Sequence, residues 1–187
     1  NNVIIELNAN PYRLDIDWRL ISSCMEKGVQ ISINPDAHSI AGLDDVQYGI
    51  YNISATGTNT ISNNIIQNFY NNYVPTSAVS LPQIYGIYCL TGDNIITGNT
   101  IRSLTAAANS SGTLNNSSIS GIAVNTSVIS YNSTVSNNRI IGLYNLNASS
   151  AATIQGVFFQ AHPASSGNLI ERNFIQGLKT TGTGLNI

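Results

Sequence analysis

The sequence has little charge. Asp, Glu, Lys and Arg make up 9% of its 187 residues, against about 25% in an ordinary soluble domain. A formal net charge of −2 leaves no clustered excess of Lys and Arg, so nucleic-acid binding is not expected of this chain. The 2 cysteines, Cys24 and Cys89, are 65 positions apart, which gives neither a disulfide framework nor a zinc pattern. No apolar run approaches the roughly 20 residues that span a bilayer, and no basic segment followed by an apolar stretch opens the chain at Asn1 as a secretion signal would. What is abundant is Asn, with 26 residues, and Ser, with 22, beside 42% hydrophobic residues. That is enough apolar material for a core, with the surface solvated by amides and hydroxyls.

The few charges are unevenly placed. Of the 7 basic and 9 acidic residues, ten fall in residues 1–50, and only six in the remaining 137. The composition changes near Tyr48: before it stand Trp18, Met25 and mixed charges, after it Asn, Ser, Thr, Ile and Gly. Two segments of different origin are expected, 1–48 and 49–187.

The longer segment repeats. Four windows align without gaps: Asn59-Thr-Ile-Ser-Asn-Asn64-Ile-Ile-Gln-Asn-Phe69, Asn94-Ile-Ile-Thr-Gly-Asn99-Thr-Ile-Arg-Ser-Leu104, Ser133-Thr-Val-Ser-Asn-Asn138-Arg-Ile-Ile-Gly-Leu143 and Asn168-Leu-Ile-Glu-Arg-Asn173-Phe-Ile-Gln-Gly-Leu178. Their central Asn residues lie 35, 39 and 35 positions apart, and a Gly-apolar pair precedes each window at Gly49, Gly86, Gly121 and Gly156. Framework positions spaced three, two and three fit neither a helix nor one alternating strand. They fit short strands joined by bends. Stacked at strand spacing, about 4.8 Å, such units predict an inward ladder of Ile66, Ile101, Ile140 and Ile175, and a second of Ile61, Ile96, Val135 and Ile170. Asn64, Asn99, Asn138 and Asn173 at the bends are expected to take left-handed backbone conformations and to hydrogen-bond from coil to coil as an asparagine ladder.

These repeats resemble those of right-handed parallel β-helix proteins, among them bacterial surface proteins and polysaccharide-acting proteins. The fold expected is mainly β: a right-handed parallel β-helix solenoid of about four coils. The resemblance does not select a function. Asp93 and Glu171 are the only carboxylates after residue 48, too few for acid, base or calcium work on a glycan.

The first segment reads Ile5-Glu-Leu-Asn-Ala-Asn-Pro-Tyr-Arg-Leu-Asp-Ile-Asp-Trp18, then Val29-Gln-Ile-Ser-Ile-Asn-Pro-Asp-Ala-His-Ser39. It resembles the end of the polymerase and histidinol phosphatase (PHP) domain, in the version carried by bacterial family X DNA polymerases. The residues themselves predict strands at 3–7 and 29–33 flanking a helix over 18–27, with Asp15 or Asp17 capping its start and Gly28 closing it. That is a βαβ piece of an α/β barrel, where functional residues follow strand ends. The resemblance implies that Asp36 and His38 are metal ligands, for manganese or zinc in the complete parent. The ligands expected from earlier strands are missing, and two groups leave a metal mostly hydrated, so no tightly bound cofactor and no catalysis are expected here. His162, in Ala161-His-Pro163, reads as a loop residue.

Three functions are carried forward: a non-catalytic β-helix scaffold or surface-interaction segment joined to an incomplete PHP phosphoesterase fragment; a fragment of a family X polymerase PHP phosphoesterase or 3'-5' exonuclease; and a carbohydrate-binding module stacking sugars on Tyr51, Tyr88, Tyr144 or Phe158. Carbohydrate or cell-surface ligands are the partners considered. The repeats suggest a secreted or surface location, the PHP part a cytoplasmic one. The join at Tyr48-Gly-Ile50, a triplet that recurs at Tyr85-Gly-Ile87, fits recombination, an assembled fragment or a deliberate fusion. A first residue that is Asn1 and a unit broken off at Gly184-Leu185 lead to the expectation that both ends are cut and self-associate. The ladder register makes a direct prediction. Ile140→Ala should cost about 2–5 kcal/mol, and replacing the outward Arg139 should stay within about 0.5 kcal/mol; denaturant unfolding of the two variants checks it, and equal losses contradict the register.

Overall fold

The computed structural model describes residues 4–8, 23, 26–27, 30–34, 47–71, 83–107, 117–126, 131–147 and 152–181. The chain divides into two units, Asn1–Leu43 and Asp44–Ile187.

In the first unit, β1 (Ile4–Asn8) and β2 (Gln30–Asn34) pair in parallel, Ile4 opposite Gln30 and Asn8 opposite Asn34. Both lie one residue later than the sequence suggests. Most of 18–27 lies outside the described residues, so the structure shows the parallel pair without the βαβ unit.

The second unit is built from β3 (Gln47–Asn52), β4 (Thr58–Ser62), β5 (Ile65–Gln67), β6 (Tyr70–Asn71), β7 (Ile84–Cys89), β8 (Asp93–Thr97), β9 (Thr100–Ala106), β10 (Ile119–Thr126), β11 (Ser133–Ser136), β12 (Arg139–Asn145), β13 (Ile154–Ala161), β14 (Leu169–Glu171) and β15 (Phe174–Thr180). Every pairing is parallel and joins equivalent strands of successive repeats: β3-β7-β10-β13, β4-β8-β11-β14 and β5-β9-β12-β15, with β6 also on β9. The chain from β3 returns to the same sheet at β7, β10 and β13, a β-solenoid of about three turns.

The core follows from this register. Ile66, Ile101, Ile140 and Ile175 stand opposite one another, as do Ile61, Ile96, Val135 and Ile170. Ile96, Ile101, Val135 and Ile140 are fully buried in one cluster with Ile87, Ile122, Leu104 and Leu143. The glycines of the Gly-apolar pairs sit across the solenoid from the isoleucines. A Cβ built on Gly86 would lie 2.7 Å from Ile101 Cγ2, one on Gly121 2.7 Å from Ile140 Cγ2, and one on Gly156 2.7 Å from Ile175 Cγ2. Two sheets this close have no room for any side chain at these positions.

The bends differ from the sequence reading. The left-handed residue is the one before each central Asn: Asn63, Gly98, Asn137 and Arg172, with φ of 57°, 68°, 55° and 52°. The central Asn is thereby free to place its side chain for hydrogen bonding. A second left-handed site falls four residues after it, at Asn68, Ser103, Gly142 and Gly177, and gives each repeat another corner.

These two features predict substitutions of opposite sign. Gly121→Ala would press against the Gly156 carbonyl as well as Ile140, and should destabilise the chain by about 1–3 kcal/mol, as overpacking does. Arg172→Gly removes the penalty of a left-handed L-residue and should stabilise it by about 1 kcal/mol. Thermal unfolding of both variants beside the unaltered chain reads the two signs.

Candidate functional site

The most organised polar feature is the line of Asn side chains along one corner of the solenoid. Asn64 Nδ2 donates to Asn99 Oδ1, Asn99 Nδ2 to Asn138 Oδ1 and Asn138 Nδ2 to Asn173 Oδ1, each at 2.9 Å. The same oxygens accept the backbone N–H of the preceding Asn at 3.0 Å. Three of the four amides also reach back a coil: Asn99 Nδ2 donates to the Ile61 carbonyl, Asn138 Nδ2 to that of Ile96 and Asn173 Nδ2 to that of Val135, while Asn64 Nδ2 donates to the Ser62 carbonyl in its own coil. Asn99 and Asn138 are fully buried, so these bonds satisfy groups that water cannot reach.

A second polar line, which the sequence reading passed over, runs through the first position of the last three windows: Asn94 Nδ2 donates to Ser133 Oγ at 3.4 Å and Ser133 N–H to Asn168 Oδ1 at 2.9 Å. Asn52 Nδ2 donates to Asn94 Oδ1 at 2.7 Å and Asn59 Nδ2 to the Asp93 carbonyl at 3.3 Å. The signal was present in the recurring Asn or Ser at 59, 94, 133 and 168. Asp93 serves this line too, its Oδ1 accepting the Asn132 N–H at 2.7 Å.

The aromatic residues form a cluster separate from the Ile core. Tyr48 stacks on Tyr51 with ring centroids 4.6 Å apart and on Tyr85 at 5.4 Å. Tyr85 meets Tyr88 edge-on at 4.8 Å, and Ala123 and Phe158 extend the cluster along the sheet. Of the four side chains considered as sugar platforms, Tyr88 and Phe158 are buried, while Tyr51 and Tyr144 are exposed. Tyr88 Oη also accepts from Asn125 Nδ2. Burial pushes Tyr85 and Tyr48 above the usual phenol range, with neighbouring tyrosines adding to the shift.

Asp36 and His38 lie outside the described residues. His162 Nδ1 accepts the Ala164 N–H at 3.1 Å and its carbonyl accepts the Ser165 N–H, which makes the imidazole part of a tight loop. Among the described residues no three His, Cys, Asp or Glu side chains gather as a metal site. No described helix is long and apolar enough to cross a membrane. Cys89 is a buried free thiol. Burial pushes it up to about 12, against a smaller opposing effect of a hydrogen bond with Asn52.

With this geometry in view, the comparisons with known proteins are narrow. The chain is 47% identical over 49 residues to the DNA polymerase/3'-5' exonuclease PolX of Bacillus subtilis (strain 168), a stretch that covers 26% of this chain and 9% of that polymerase. It matches no family model and no solved structure. The short match supports a PHP-like fragment.

The buried acids fix a pH dependence. A thiol or phenol whose folded pKa is raised favours the folded state while protonated. Its stabilising effect is complete below its unfolded pKa and is lost as pH rises through the folded one. For Cys89 that window runs from 9.0 to about 12, and Tyr85 and Tyr48 act in the same direction. Unfolding midpoints should fall across this range, and Cys89→Ala should fall less steeply than the unaltered chain. Parallel curves for the two would contradict the assignment to Cys89.

Proposed function

We propose that the chain is a non-catalytic β-solenoid scaffold or surface-interaction segment, residues 49–187, joined to an incomplete PHP metal-dependent phosphoesterase fragment, residues 1–48. The solenoid is taken as right-handed, the hand that parallel crossovers adopt almost without exception. The observation that carries this reading is the use made of the polar side chains. Asn99 and Asn138 spend their amides on the coils above and below, Asp93 ties one coil to the next, and Glu171 lies 3.9 Å from Arg172 on the surface. The Asn amides and Asp93 hold the stack together, and the Glu171 pair stays within one coil. They do not converge on a point where a substrate atom could sit between an acid and a base.

Derivation of the first segment from a family X polymerase PHP phosphoesterase or exonuclease is supported by the 49-residue match. Asp36 and His38 are then two members of a larger ligand set, and two ligands do not fix a nucleophilic water. A carbohydrate-binding reading draws support from Tyr51, whose exposed ring lies on Tyr48 at an interplanar angle of 16°.

The test is a phosphodiesterase assay on the full chain with manganese or zinc added. Hydrolysis should stay at background. Clear metal-dependent hydrolysis that disappears in His38→Ala would overturn the scaffold reading in favour of the enzyme.

A further inference from the structure

The charges of the solenoid are sorted by face. After residue 48 the chain carries Arg102, Arg139, Arg172 and Lys179 against Asp93 and Glu171. Asp93 opens β8 and Glu171 closes β14, both in the β4-β8-β11-β14 sheet. Arg102, Arg139 and Lys179 belong instead to the β5-β9-β12-β15 sheet, whose strands hold no Asp or Glu.

These cations face outward. Ile101, Ile140 and Leu143 turn into the core, which puts the residues beside them, Arg102, Arg139 and Tyr144, on the outer face, where all three are exposed. Both β9 and β12 have a paired strand on either side, so this exposure does not come from an end of the stack. Arg102 stands opposite Ile141, two positions along from Arg139, which separates the two by about 8 Å at the backbone, from strand spacing and rise per residue. Lys179 stands opposite Tyr144.

The side chains on this face are oriented. Arg102 Nε donates to Gln67 Oε1 at 2.6 Å, which fixes the plane of its fork. Arg139 lies over the Phe174 ring, 5.4 Å from the centroid, a cation–π contact. Tyr144 is placed by its corner: a Cβ built on Gly142 would lie 3.0 Å from Tyr144 Oη and 3.1 Å from Cε2, and one on Gly177 3.8 Å from Oη. The ring therefore lies over two glycines, where earlier coils carry Asn68 and Ser103, and it remains 36% exposed. The result is an aromatic platform beside two forked cations.

We propose that this outer face binds a glycan bearing carboxylates, with Arg102 and Arg139 taking the carboxylates and Tyr144 stacking a sugar ring. A planar guanidinium matches a carboxylate through two parallel hydrogen bonds. The C–H face of a pyranose covers a phenol ring, and Thr100, Thr105 and Gln176 on the same face supply hydroxyls and an amide for sugar hydroxyls. A nucleic acid fits less well: it carries a charge at every phosphate, and three cations give it only weak, salt-sensitive binding. The inference rests on the surface-interaction part of the reading above and gives it a ligand class and a place.

The test is isothermal titration calorimetry of the full chain with an oligogalacturonate and with hyaluronan oligosaccharides. At least one should bind saturably, and its methyl ester at least about tenfold more weakly. Arg102→Gln with Arg139→Gln should weaken binding at least about tenfold, as should Tyr144→Ala alone, whereas Tyr144→Phe should keep it; circular dichroism matching that of the unaltered chain shows that each variant is folded. Failure of both oligosaccharides to bind, equal binding of acid and ester, binding indifferent to the Arg and Tyr144 changes, or tighter binding of a single-stranded oligonucleotide of the same charge would overturn the proposal. The scaffold reading would survive any of these results, because the phosphodiesterase assay tests it separately.

Discussion

The structure depends on the contact between a row of glycines and a row of isoleucines. Gly86, Gly121 and Gly156 each face the Cγ2 methyl of an Ile on the opposite sheet, at a distance where a single Cβ would overlap it. This contact sets the width of the coil. Once it is fixed, Ile101 and Ile140 fill the cross-section, the left-handed residues before and after each central Asn turn the corners, and the Asn side chain lands where the neighbouring coil can meet it. Close packing of this kind leaves little freedom, so every repeat must supply the same residue classes at the same places.

Stacking also accounts for the missing charge. In a parallel solenoid each residue lies beside its counterpart at about 4.8 Å, and a row of like charges at that spacing repels itself. Amides and hydroxyls carry both donor and acceptor, so a row of them attracts. The 26 Asn and 22 Ser residues are thus a surface chemistry suited to repetition, and the buried members, Asn99 and Asn138, turn the same property inward.

Much of this is legible in the sequence. The three, two, three spacing around each central Asn identified the inward rows, and the pairings place Ile66, Ile101, Ile140 and Ile175 opposite one another. The glycines were visible as well, but their role was not. Ile66 follows Gly49 by 17 positions and Ile140 follows Gly121 by 19, and a contact of variable separation leaves no period in the sequence. The sequence does not place the left-handed corner, because in Asn63-Asn64 and Asn137-Asn138 both residues tolerate that conformation. Gly98 and Arg172 at the preceding position show that the backbone demand falls there, whatever side chain is present. Asp36 and His38 belong to another kind of information: their reading rests on a resemblance to a family, and both lie outside the described residues.

The central claim is that the forward hydrogen bonds of the asparagine ladder hold successive coils together. Hydrogen exchange read by NMR at dilute protein tests it most directly, because it resolves each backbone N–H. The N–H groups of Asn99 and Asn138, which end on a neighbouring Oδ1 at 3.0 Å, should be among the slowest in the chain, opening only with global unfolding, and Asn138→Ala should speed exchange at Asn99. Fast exchange at Asn99 in the unaltered chain, or an Asn99 rate that Asn138→Ala leaves unchanged, would contradict the account.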